Sequence, residues 1–169
     1  MFKRYSKSVL AKYLRSFVFG IEDSLASTVG LLSGVAIAGV PKETILLTGA
    51  ILIFVEAFSM SVGDFLSEYS AESYIKQAEA PLKKSIIAAM IMFFSYFLSG
   101  FIPLFPYIIL PSEFAVWLSI ILSLFALFFL GIISAKISNT SLLRSSLRMF
   151  LIGGAAIVVG VFVGIFFSL

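Results

Sequence analysis

Residues 44–67 read TILLTGAILIFVEAFSMSVGDFLS. The stretch is apolar along most of its length, and at ~1.5 Å per residue it is long enough to cross ~30 Å of hydrocarbon as a helix. Yet Glu56 sits at its middle, and Met60 and Asp64 follow at four-residue steps. A carboxylate at membrane depth costs about 3 kcal/mol or more unless it faces a partner, a cavity or an ion path. The stretch therefore sets the fold class, an all-α membrane protein, and raises the question of what its acids are for.

Working outward, three further stretches of the same kind stand at 17–39, 114–135 and 149–169. A fifth, 85–102, runs into Pro103, Pro106 and Pro111, so an irregular, proline-broken cap is expected at its far end. Five transmembrane helices in one domain spanning 1–169 is the architecture implied. With 60% hydrophobic and 12% charged residues and a mean hydropathy of +1.12, water is not the main solvent of this 169-residue chain.

Charge placement orients the helices. Lys3, Arg4, Lys7, Lys12 and Arg15 precede the first span, Lys76, Lys83 and Lys84 follow the second, and Lys136, Arg144 and Arg148 follow the fourth. The alternate connections hold Lys42 alone. This bias predicts a cytoplasmic amino terminus and an outside carboxyl terminus. The net charge of +3 is thus topological, with the basic loops suited to anionic lipid and no nucleic acid implied. Phe2, Tyr5, Val9, Leu10, Tyr13 and Leu14 recur at helical spacing among the first basic residues, which predicts an interfacial amphipathic helix over 1–16. A cleavable signal peptide fits less well, because the apolar stretch that follows is too long and contains Glu22 and Asp23.

The chain has no cysteine and no histidine. Thiolate and imidazole chemistry are excluded, so any site must be built from carboxylates, hydroxyls, amides, thioether sulfur or backbone. The candidates are Asp23 in the first span and Glu56, Met60, Asp64, Glu68 and Glu72 in a row along the second, with Glu79 beyond. Residues four apart share a helix face that drifts by about 40° per step. Such a row can lead from mid-membrane to the cytoplasmic mouth as a path of metal-capable ligands, or serve as a solvated face at its lower end. If the spans enter and leave where the apolar stretches do, Asp23 and Met60 lie at similar depth and could converge. Carboxylate oxygens suit hard divalent ions, and a thioether, if it is more than packing filler, tilts a site toward a late first-row ion such as ferrous iron. Two glycine pairs, Gly30 with Gly34 and Gly160 with Gly164, suit close packing within one chain or between two.

These residues resemble the vacuolar iron transporter family of ferrous-iron and manganese carriers. The resemblance rests on residues 19–23 (FGIED) with Ser27, Gly30 and Gly34, and on residues 56–67, whose Ser-Met-x-x-Gly-acid-aromatic run is the most specific part. Residues 97–107 with their Pro-x-x-Pro-Tyr, residues 126–131, and Arg148 followed by Gly153 and Gly154 add to it. It implies a homodimer of five-helix protomers exchanging cytoplasmic divalent metal for protons near the two-fold axis. Asp23 and Met60 would then be intramembrane metal ligands, Asp64 would fill the acidic place of the motif, and Glu56 would be an alternative ligand. No enzymatic activity and no tightly bound cofactor are implied, the metal being cargo. The membrane would be that of a prokaryotic cell, or a vacuole in a eukaryote.

Two features depart from the family pattern. Ser24 follows Asp23 where glycine is usual, and Glu22 precedes it where asparagine is common. The connection 68–84 is too short for the glutamate-rich cytoplasmic extension of well-known members, leaving Glu68, Glu72 and Glu79 as a reduced loading site or none. A non-transporting metal sensor or scaffold is the alternative from another class. An intramembrane aspartyl protease has no supporting motif around Asp23 or Asp64.

Overall fold

The computed structural model describes residues 2–167 and, of these, the side chains from Lys7 onward. Met1, the last two residues of the expected fifth span (Ser168 and Leu169), and the side chains of Phe2, Lys3, Arg4, Tyr5 and Ser6 lie outside the described residues. Five helices follow in order: α1 Phe2–Ile37, α2 Lys42–Lys76, α3 Leu82–Ile109, α4 Ser112–Ser138 and α5 Leu142–Phe167. All five are long and apolar enough to cross a membrane. Short connections make successive helices antiparallel, so the ends carrying most of the lysines and arginines gather at one end of the bundle, called here the basic end.

Proline and left-handed residues mark the helix ends. Pro41, Pro81 and Pro111 stand at the N-caps of α2, α3 and α4, where a missing N–H costs nothing. Gln77 (φ 51°) and Asn139 (φ 53°) close α2 and α4 in the left-handed conformation, each donating its N–H back to the last turn.

The structure corrects two expectations. Residues 2–16 form no separate interfacial helix; they are the first part of α1, which runs unbroken into the apolar span. Lys12 and Arg15 of this segment pair with carboxylates on α2, and these pairs hold it against the bundle. The end of the third span is helical as far as Ile109, with Pro103 and Pro106 inside the helix. Both prolines are fully buried, and the Ser119 hydroxyl of α4 donates to the Pro103 carbonyl at 2.7 Å. Proline is tolerated in a membrane helix where neighbours satisfy the backbone it disturbs. At the helix end Lys42 donates to the carbonyls of Ile108 (3.3 Å) and Leu110 (3.0 Å), which gives the lone basic residue of that end a capping role.

α3 packs against α1, α2 and α4, while α1 packs also on α5 and α4. Leu32, Ile45, Ile53, Leu104, Tyr107, Ala115 and Val116 form the apolar core away from the basic end. The two glycine pairs meet each other within the chain. A Cβ on Gly34 would lie 2.5 Å from the Gly160 carbonyl oxygen, and Gly30 and Gly164 are in the same backbone-to-backbone seam. Only glycine permits α1 and α5 to approach so closely. α2 rests chiefly on α3 and less on α1. Its outer face is a run of exposed apolar side chains, from Leu47 and Ile51 through Phe58 to Leu66.

Candidate functional site

The acidic row of α2 turns as it descends. Glu56 and Met60 are partly exposed, whereas Asp64, Glu68 and Glu72 are buried. A drift of about 40° per four residues accounts for this, because it carries the lower acids round toward α1 and the start of α3.

Higher up, midway along α2, Glu56 and the Asp23 carboxylate of α1 lie within electrostatic reach of one another, and both are within reach of the Tyr96 hydroxyl of α3. Tyr96 is fully buried and ties α3 to α1 at two atoms. Its carbonyl accepts from the Ser24 hydroxyl at 2.7 Å, and its own hydroxyl shares a 2.8 Å hydrogen bond with Ser27. The helical turn that begins at Asp23 is therefore pinned to α3. Ser24 has a positive role in this, as one of the two hydroxyls that hold Tyr96. Nothing in the sequence singled out Tyr96; its one signal is a phenol inside an apolar stretch, where a buried hydroxyl needs a partner.

Asp23 and Met60 line neighbouring recesses. Asp23 opens with Glu22 and Phe19 into a recess of about 230 Å³ whose far wall is Ile152, Gly153 and Ala156 of α5. Met60 lines another of about 620 Å³ with Arg15, Phe19, Asp64, Ser67 and Met92. Phe19 belongs to both. Among the described residues, no three carboxylates come close enough together to hold a metal ion.

Lower down, every acid of the row has a cationic partner. Asp64 accepts from Arg15 at 3.0 Å and from the buried Ser16 hydroxyl at 2.7 Å. Glu68 pairs with Lys12. Glu72 meets Lys76 at 2.8 Å, Lys84 at 3.5 Å and Lys12 at 3.8 Å. Glu79 is exposed in the turn 77–81 that joins α2 to α3.

The VIT family model matches residues 14–86 and 71–165, which together reach into all five helices and include every acid of the row. The chain belongs to the VIT family. This VIT-family chain is 29% identical over 166 residues to "Vacuolar iron transporter homolog 3" of Arabidopsis thaliana, covering 90% of this chain and 81% of that protein. Identity to "Vacuolar iron transporter homolog 4" of the same plant is 28% over 166 residues, with 89% and 80% covered. "Vacuolar iron transporter 1", also of Arabidopsis thaliana, is 36% identical over 75 residues, 44% of this chain and 30% of that protein. Membership fits the fold: an integral membrane protein of five apolar helices whose first two each carry acidic residues.

Proposed function

We propose that this VIT-family protein carries a divalent transition metal, ferrous iron or manganese, out of the cytoplasm in exchange for protons, working as a homodimer. It is a carrier, with the metal as cargo. The observation that bears most weight is that Asp23 of α1 and Glu56 of α2 lie within electrostatic reach of one another and of the buried Tyr96. Two carboxylates within reach of one another in hydrocarbon repel when both are charged, and a divalent cation or a proton relieves that repulsion. Carboxylates hold metal only when ionised, so proton and metal compete for the same oxygens and the exchange is coupled. Met60, one turn below Glu56, adds a soft ligand suited to ferrous iron. Relatives bearing the name of iron transporters support the choice of cargo.

The partly exposed face of α2 supports the dimer. Glu56, Met60, Ser59, Gly63 and Ser67 are partly or fully exposed within one protomer, and a Cβ on Gly63 would meet nothing within 4 Å. Hydrocarbon is a poor neighbour for such a row, while a second copy completes the ligand set that one protomer lacks. The basic end would face the cytoplasm, in a prokaryotic cell membrane or at a vacuole.

Proteoliposomes test the reading. Purified protein should take up ferrous iron or manganese under an imposed pH gradient, and Asp23→Asn should reduce uptake to the rate of empty vesicles. Metal binding without flux in the unaltered protein would instead favour a sensor or scaffold. Full uptake by Asp23→Asn would remove that residue from the path.

A further inference from the structure

The three lower acids of α2 lie where metal would first arrive under the proposed transport, on which the following inference rests. Their side chains are only 4–7% exposed, and they face four cations: Lys12, Arg15, Lys76 and Lys84. Three negative charges against four positive leave the cluster with a net charge of about +1, which repels a divalent ion. Lys76 lies one turn beyond Glu72 on α2 itself, and Lys84 is on the adjoining α3. Lys12 and Arg15 instead reach across from α1.

One carboxylate oxygen in the cluster is unsatisfied. Glu72 Oε2 is buried with no hydrogen-bond partner, and the Lys12 ammonium stands 3.8 Å from it. A buried carboxylate oxygen without a donor is costly and gains from any cation that reaches it. The Lys12 ammonium, between Glu68 and Glu72, thus occupies the place that a metal ion bridging the two carboxylates would take.

We infer that Lys12 and Arg15 are built-in competitors for the metal at Asp64, Glu68 and Glu72, and that they set the metal concentration at which loading begins. Metal binds there by displacing the ammonium and guanidinium groups, so the first part of α1 releases α2 when the site fills. Neutralising both groups changes the cluster from about +1 to about −1. The expected sign is therefore tighter metal binding on losing two ion pairs.

The test uses the full chain in detergent, with manganese binding read from loss of the free-ion electron paramagnetic resonance signal, alongside proteoliposome uptake. Lys12→Gln/Arg15→Gln should lower the apparent manganese dissociation constant by about three- to tenfold, and high salt should narrow the difference. Lys83→Gln removes the same charge from an exposed position at the same end and should leave affinity as it was. Adding Glu72→Gln to the double variant should abolish the gain. If the double variant fails to fold by circular dichroism, Lys12→Gln alone, which keeps the Arg15 pair, carries the test with a smaller gain expected. Unchanged or weaker affinity in a folded variant, or an equal gain in Lys83→Gln, overturns the inference. Tighter binding without uptake by the unaltered protein would leave the competition standing and refute the transport reading; uptake with unchanged affinity refutes the competition alone.

Discussion

Gly34→Ala is the sharpest test of the seam that holds α1 against α5. The added methyl carbon would sit 2.5 Å from the Gly160 carbonyl oxygen and 3.3 Å from its carbon, and these are backbone atoms that no rotamer change can move. Ordinary contact begins near 3.4 Å, so the seam must open by about 0.9 Å along much of its length. A gap of about 0.5–1 Å forfeits roughly a quarter to a half of each dispersion contact. Overpacking of this kind costs about 1–3 kcal/mol. The gain in helix propensity from glycine to alanine, up to ~1 kcal/mol, works the other way. Gly154→Ala on α5 isolates the packing, because its methyl would meet Leu124 at a comfortable 3.7 Å and carries the same propensity gain. Reversible unfolding in mixed micelles, followed by circular dichroism, should place Gly34→Ala at least ~1 kcal/mol below Gly154→Ala. Equal stabilities for the two variants would refute the close approach of α1 and α5.

Two more outcomes follow from the site. Tyr96→Phe keeps the buried ring but removes the hydroxyl shared with Ser27, so metal uptake should fall several-fold with stability lowered by only about 1 kcal/mol; Ser27→Ala should add little to it, and full additivity of the two changes would show that they do not act as a pair. Because the natural chain has no cysteine, Gly63→Cys places a single thiol on the open face of α2, and mild oxidation in membranes should yield disulfide-linked dimers. Thr48→Cys, near the opposite end of α2, is the comparison; preferential crosslinking there would move the dimer contact away from Gly63.

The spans were legible because hydrophobic length is a one-dimensional property: residues 44–67 announce a crossing helix whatever they pack against. The same logic cannot show where a helix stops once it leaves lipid. α2 continues to Lys76 and α1 begins at Phe2, since their polar ends are held by ion pairs between residues about fifty positions apart. Pro103 and Pro106 signal a break locally, and only the neighbouring α4, with its Ser119 hydroxyl, shows why the helix persists. At the site, the four-residue spacing identified one face from Glu56 to Glu72, but that face drifts. Its upper part stays half open, and its lower part turns into Lys12, Arg15 and Lys84. The basic residues that orient the chain thus also neutralise its acids. Tyr96 was illegible for the same reason, because its meaning lies in Ser24 and Ser27 on another helix.

The proposed transport requires Asp23 and Glu56 to hold metal within the membrane, with Met60 at hand. Anomalous diffraction from crystals soaked in manganese tests it most directly. A peak is expected at mid-membrane beside the Asp23 carboxylate, within ligand distance of Glu56 or Met60 of the same or a second copy, and it should be lost in Asp23→Asn. Metal bound solely at the basic end, or a mid-membrane peak that persists in Asp23→Asn, would contradict it.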